Sequence, residues 1–244
     1  MAWLLGRAAS YLLTRGSPRQ ARPLAERAFT VYQRLLGEDH PDTLASATTL
    51  AHVVHELGEH QQARQLYEDT LTRCRRTLGD DHRGTLTAVT ELANTLVALG
   101  EHRQARQLHE DTLTRRRRTL GDDHPVTLVS ANNLANALHG SGEHPQARLL
   151  YEDTLTRRRR ILGKDHPRAL ISARNLAREL SALGEHERAR QLNEDTLTRR
   201  RRVLGDVHPA TLGSAGDLAR NLHELGEHKQ AHDLEEYVRS HREG

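Results

Sequence analysis

The chain has 244 residues and a formal net charge of +3, with 36 basic and 33 acidic side chains in near balance. Aromatics make up 3% and hydrophobic residues 36%, and the apolar part is mostly Leu and Ala, which pack helices and are poor strand formers. This composition excludes an aromatic-rich β core, and the single cysteine, Cys74, excludes an intrachain disulfide. No apolar run approaches the roughly 20 residues of a membrane-spanning helix. The opening stretch, MAWLLGRAASYLL, is broken by Arg7 and lacks a basic leader and a cleavage site, so it reads as a helix and not as a signal peptide. The expected location is the cytoplasm. Arginine is used almost to the exclusion of lysine (Lys164 and Lys229 only), which suggests a GC-rich bacterial genome.

In chain order, residues 2–14 predict a shortened first helix, and residues 15–36 predict a turn and a second helix. Within that stretch Gly16 aligns with Gly58, Ala21 with Ala63 and Leu36 with Leu78. From residue 37 the sequence repeats every 42 residues without insertion, in units 37–78, 79–120, 121–162, 163–204 and 205–244, with 1–36 as a partial unit. Each full unit opens with Gly, an acidic stretch and His (His40, His82, His124, His166, His208). Pro follows except at Arg83. A helical segment then runs to a second Gly at 58, 100, 142, 184 or 226, and after Gly-Glu-His a second helical segment closes the unit.

In the third unit Leu128, Ala131, Leu134, Ala135 and Leu138 recur at helical spacing in the first segment, and Ala147, Leu150, Thr154, Leu155 and Leu162 mark the second. Pro125 is expected at the first helical position. Gly121 and Gly163 are expected as left-handed residues at helix C-termini. The result is six helical hairpins, or about twelve helices, the last predicted over 228–242. No hairpin buries its apolar face alone, so the expected fold is all-α: a single right-handed α-solenoid of antiparallel hairpins over 1–244.

The consensus LGxDHPxTLxSxNNLAxxLxxxGEHxxARxLxEDTL resembles the long tetratricopeptide repeats of kinesin light chains. It is similar also to the arrays at the C-terminal ends of bacterial STAND-type signalling ATPases. The matching small positions are Ala51, Gly58, Ala63 and Thr70 and their counterparts every 42 residues. The resemblance implies a tetratricopeptide-like solenoid that binds protein partners.

Arginine runs close the second segments at 73–76 (with Cys74), 115–118, 157–160 and 199–202. Four successive helical residues spread around about 300° of the helix, so no run forms one basic face. Asp111, Asp153 and Asp195 precede Arg115, Arg157 and Arg199 by four, the favourable order for helical ion pairs. The runs read as solvated, paired helix ends. A nucleic-acid-binding solenoid using these ends is an alternative, disfavoured by the lack of interleaved aromatics.

The chain has seventeen histidines. The period-locked ones read as caps or turn packing, because equivalent turns lie a full repeat apart and do not converge on one metal. His228 and His232 have i, i+4 spacing without the Glu of a zinc hydrolase motif. No phosphate loop or nucleophile elbow is present. The reading is therefore a non-enzymatic scaffold with no catalytic residues, no metal and no cofactor. The ATPase loop GxxxxGK[ST] is absent, so a further alternative is a repeat fragment of a larger signalling ATPase with no independent partner.

Much of the surface, including EDTLT and the arginine runs, barely changes between units, which suggests recent duplication. Three first-helix columns do change and lie on one stripe, the concave face in the family resembled. The first column gives Thr48, Thr90, Asn132, Arg174 and Gly216. The second gives His52, Asn94, Asn136, Arg178 and Arg220. The third gives His55, Val97, His139, Ser181 and His223. The functional reading is a groove for an extended peptide or partner surface, with Asn94, Asn132, Asn133, Asn136 and Asn175 matching the family's backbone-reading asparagines. The alternative is drift at exposed positions. Arg174, Arg178 and Arg220 are expected to converge as a clamp for an acidic peptide, unless Asp217 and Glu179 neutralise them. The ends, with Trp3, Leu4, Leu5, Leu12 and Leu13 at one and 228–242 at the other, are expected to self-associate or to pack on a further domain.

Overall fold

The computed structural model describes residues 2–241. They form twelve helices and, among the described residues, no strand. The chain divides into two compact units, Met1–Thr119 and Leu120–Gly244. The first contains α1 (Ala2–Thr14), α2 (Pro18–Leu36), α3 (Pro41–Glu56), α4 (His60–Leu78), α5 (Arg83–Ala98) and α6 (His102–Leu120, whose last residue belongs to the second unit). The second contains α7 (Pro125–Gly140), α8 (His144–Leu162), α9 (Pro167–Ala182), α10 (His186–Leu204), α11 (Pro209–Glu224) and α12 (His228–Ser240). The predicted helix end at 242 lies outside the described residues. In the second unit each helix packs on the next in sequence, from α7 through α12, as expected for stacked hairpins. In the first, α1 to α5 pack in the same serial way, and α3 also touches α1 and α5.

The repeat sets its own helix boundaries. Every first helix from α3 to α11 starts at a histidine cap: Nδ1 of His40, His82, His124, His166 and His208 accepts the backbone N–H two residues on, at 3.0–3.2 Å. Pro then occupies the first turn, where a missing N–H costs nothing, in all but α5. The glycines after α2, α4, α8 and α10 do have positive φ, 84–88°, but ψ is 157–168°. They are therefore not left-handed helical residues as the sequence suggested. They occupy a mirror-extended conformation that only Gly adopts without strain, and the chain leaves the helix straight instead of curling over its end.

Helices approach closely where Ala recurs. Ala51, Ala93, Ala135, Ala177 and Ala219 on the first helices are buried, as are Ala21, Ala63, Ala105, Ala147, Ala189 and Ala231 on the second. Leu128, Leu134, Leu138 and Leu155 fill the space beside them in the third repeat, while Leu150 and Leu162 are only half-buried. At α1, Trp3 and Leu4 are exposed (58% and 62%), with Arg7 stacked over the Trp3 ring at 4.9 Å, while Leu5, Leu12 and Leu13 are half-buried.

The arginine runs are ion-paired, with one correction. Arg115, Arg157 and Arg199 each bond the Asp four residues earlier, as predicted. Each also reaches back to the loop before the preceding first helix: Arg115 to Asp81 at 3.0 Å, Arg157 to Asp123 at 2.9 Å and Arg199 to Asp165 at 2.9 Å. The last arginine of each run, Arg118, Arg160 or Arg202, takes the other oxygen of that same Asp. The second arginine, however, is buried. Arg116, Arg158 and Arg200 are only 5–6% exposed, and desolvation pulls their pKa below the usual arginine value. Their guanidinium groups sit on the core side and donate to backbone carbonyls and, from Arg158 and Arg200, to Ser172 and Ser214. A helix turns about 100° per residue, so one of four successive arginines had to point inward. Cys74, buried at the same position, marked that place in the sequence.

Candidate functional site

The residues of the changing stripe lie in both units, and each unit places them differently. In the first unit, Thr48 bonds the Leu44 carbonyl and Thr90 is buried on the Leu86 carbonyl. His52 lies 3.6 Å from Glu56, and Asn94 donates to Glu91. His55 packs on His60 with ring centroids 4.9 Å apart and meets Thr95 Oγ1 at 3.1 Å. Burial, and then the neighbouring His60, lowers the His55 pKa.

In the second unit the stripe surrounds a cavity of about 460 Å³ lined by Arg174, Arg178, Arg220, Asn175 and His139, together with Ser181, Asp217, Asn221, Glu224 and Asn193. The reason for a cavity here lies on the second helices. The residue that packs under the stripe is Tyr67 in α4, His109 in α6 and Tyr151 in α8, all fully buried, but Asn193 in α10. The smaller side chain leaves space where a phenol fills the neighbouring repeat. Sequence reading of the first helices alone missed Asn193. Its signal is the Tyr, His, Tyr, Asn column itself.

The three arginines converge on this cavity, but not as free cations. Arg174 pairs with Asp217 through Nε, and Arg220 lies 3.4 Å from the same carboxylate. Asp217 therefore neutralises part of the cluster. Glu179 does not. It follows Arg178 by one residue and so points about 100° away, into the protein, where it is 0% exposed. There it receives His139 Nδ1 at 2.6 Å and His144 Nδ1 at 2.7 Å. Arg178 has no carboxylate within ion-pair distance among the described residues. Its guanidinium reaches Asn136 Oδ1 at 3.3 Å and the Tyr151 hydroxyl at 3.5 Å. That hydroxyl donates to Asn136 at 2.6 Å, and burial raises its pKa to about 12.

The asparagines are largely committed to the chain itself. Asn175 donates to Asn132 at 3.1 Å, linking α9 to α7, and Asn132 is buried. Asn133 is half-buried. His223 meets His228 at 3.2 Å and Glu235 at 3.1 Å. Histidines of equivalent turns stay a repeat apart, but inequivalent ones meet. The stripe histidine that ends a first helix and the Gly-Glu-His histidine that starts the second face each other across a single turn, as in His139–His144.

With this geometry in place, comparison with known proteins locates the chain. A profile for the tetratricopeptide repeat matches residues 1–76, 47–118 and 86–160, and another of the same description matches 170–210. The chain belongs to the tetratricopeptide-repeat family. Among solved structures it is similar to a Podosopora anserina protein described as a kinesin light chain with nearly identical TPR-like repeats, at 31% identity and a TM-score of 0.73, over 83% of this chain and 96% of that one. It shares its fold with the STAND protein PH0952 of Pyrococcus horikoshii, which carries a tetratricopeptide repeat sensor. That likeness has a TM-score of 0.72 at 15% identity and covers 90% of this chain and 32% of that one. The fold is shared also with NprR in complex with its cognate peptide NprX, at 14% identity and a TM-score of 0.69, over 97% of this chain and 66% of that one. No curated protein matches the chain. Tetratricopeptide arrays are commonly protein-interaction scaffolds and typically non-catalytic. Among the described residues no helix is long and apolar enough to cross a membrane.

Proposed function

We propose that this array is a non-enzymatic scaffold that binds an acidic, extended peptide segment of a protein partner, with the cavity of the second unit as its anchor. The supporting observation is the charge balance around the cavity. Asp217 serves two of three converging arginines, and Arg178 is held only by neutral groups. Glu224, also on the wall, is engaged by His186 and Asn221. A carboxylate entering the cavity meets guanidinium donors in bidentate geometry. The bacterial cytoplasm, as a sensor array or adaptor, is the setting we infer from composition and from the resemblance to signalling ATPases. The nucleic-acid alternative has less support, because the first and last arginines of the runs are paired with aspartates and the second is buried.

The test is fluorescence anisotropy with paired acidic and charge-neutral peptides, on the wild type and on Arg178→Ala with Arg220→Ala. Binding of the acidic member is expected to weaken by roughly 2 kcal/mol, about 30-fold, with the melting temperature unchanged. Equal binding of both peptides, or unchanged affinity alongside a lower melting temperature, would assign the arginines to the scaffold.

A further inference from the structure

We propose that His139, His144 and Glu179 form a binding site for one divalent transition-metal ion of the zinc type. The three come from three consecutive helices: His139 near the end of α7, His144 at the start of α8 and Glu179 within α9. One ligand atom from each lies within 4.8 Å of the other two. Glu179 is fully buried, and its side chain has no lysine or arginine within ion-pair distance among the described residues. A buried carboxylate must be paired or bound to a cation. A divalent ion bound by both imidazoles supplies that charge and uses them in the neutral form that ligation requires.

Two nitrogens and a carboxylate oxygen suit zinc, and the fourth tetrahedral position is left to solvent. The His–Glu separations of 2.6 and 2.7 Å are hydrogen-bond distances. Ligands on a shared tetrahedral ion stand about 3.3 Å apart, given bonds of about 2.0 Å. The His–Glu adjustment is below 1 Å, the two histidines draw together from within 4.8 Å, and both imidazoles are partly solvent-facing, which leaves a path for entry.

The repeat supplies its own controls. The position of Glu179 is Val53, Thr95, Ala137 and Asn221 in the other units, all buried and none charged. His55 and His60 reproduce the histidine pair in the first unit, but there the third group is Thr95, whose hydroxyl bonds His55. Among the described residues, only at His139 do both histidines and a carboxylate from the next first helix coincide. A charged residue in an otherwise uncharged buried column is a departure that packing does not require.

The experiment uses the untagged full-length chain, stripped with a chelator and titrated with Zn²⁺ by calorimetry and with Co²⁺ by visible absorption. The expected result is one tight equivalent, a tetrahedral Co²⁺ spectrum and a raised melting temperature. Glu179→Thr copies the arrangement at Thr95 and so keeps the fold, which the metal-free melting temperature verifies. It and His144→Ala are expected to weaken binding by more than about tenfold. His228→Ala controls for surface histidines and is expected to leave the tight site intact. Zinc affinity in Glu179→Thr equal to wild type, or the absence of a tetrahedral Co²⁺ spectrum in the wild type, would overturn the proposal and leave a hydrogen-bonded triad.

Discussion

Arg158 donates to the backbone carbonyl of Leu128 at 3.1 Å, and its other terminal nitrogen bonds Ser172 Oγ at 2.7 Å. One buried guanidinium thus fastens α8 to the helices on both sides of it. Removing it breaks the buried bonds to the Leu128 and Arg168 carbonyls and to Ser172 Oγ and opens a cavity, so Arg158→Ala is expected to cost about 2–4 kcal/mol. Arg160→Ala, which removes an exposed ion pair, is expected to cost less than about 1 kcal/mol. Urea denaturation of the two variants checks the contrast, and equal losses would mean that Arg158 is not the fastening.

His109 carries a pH prediction. It is fully buried in α6 and, among the described residues, neither ring nitrogen has a hydrogen-bond partner. Burial first, and then nearby Arg116, lowers its pKa to about 4 from 6.5. Between those values the unfolded chain binds the proton and the folded chain does not. The stability is complete above about pH 6.5 and falls on acidification, by up to roughly 3 kcal/mol near pH 4. His109→Tyr, which installs the residue found at 67 and 151, is expected to lose that much less between pH 7 and pH 4. Carboxylates such as Asp123, whose pKa Arg160 and Arg157 lower, add the same acid sensitivity to both proteins and cancel. Parallel pH profiles for the two proteins would refute the assignment.

The cavity is expected to close in Asn193→Tyr. The new phenol would face Arg178, as Tyr151 faces Asn136. Filling the space is expected to add about 1 kcal/mol of stability and to weaken acidic-peptide binding at least tenfold. Retained binding in a folded variant would place the peptide elsewhere on the groove.

Two glycines differ in what they permit. Gly163, at φ 87° and ψ 157°, has open space around it but a backbone that disfavours any Cβ, so Gly163→Ala is expected to cost about 1–3 kcal/mol. Gly213 lies inside α11 with no atom near the added methyl, and Gly213→Ala is expected to add up to about 1 kcal/mol. Thermal melts of both variants check the opposite signs.

The fold was legible because the 42-residue period repeats the glycine and histidine boundary signals five times and the proline four times, and His40 and its counterparts cap helices where the pattern placed them. The stripe was legible too, since i, i+4, i+7 spacing fixes one helix face. Of its residues, Arg174, Arg178, Ser181, Arg220 and His139 line one cavity. What lay beyond reach came from other faces. Asn193 belongs to the second helix, and its effect is a missing volume, which no periodicity records. Glu179 sits beside Arg178 in sequence and was grouped with it by charge, although a single helical step turns it into the core. Arg116 was grouped with its run for the same reason. Side-chain direction, more than residue type, decided each of these cases.

The paired arginines bear on how this sequence is inherited. Asp39, Asp81, Asp123 and Asp165 each receive two arginines from the second helix of their own unit. In the fifth unit that position is Val207, 62% exposed, and α12 carries no arginine run. Acid and arginines are present together or missing together. The sameness of these exposed positions from copy to copy thus has a cause other than recency of duplication. Each is half of a bond, and a change on one side leaves the other without its partner, so the two sides gain or lose their function together even though each exposed pair contributes little stability by itself.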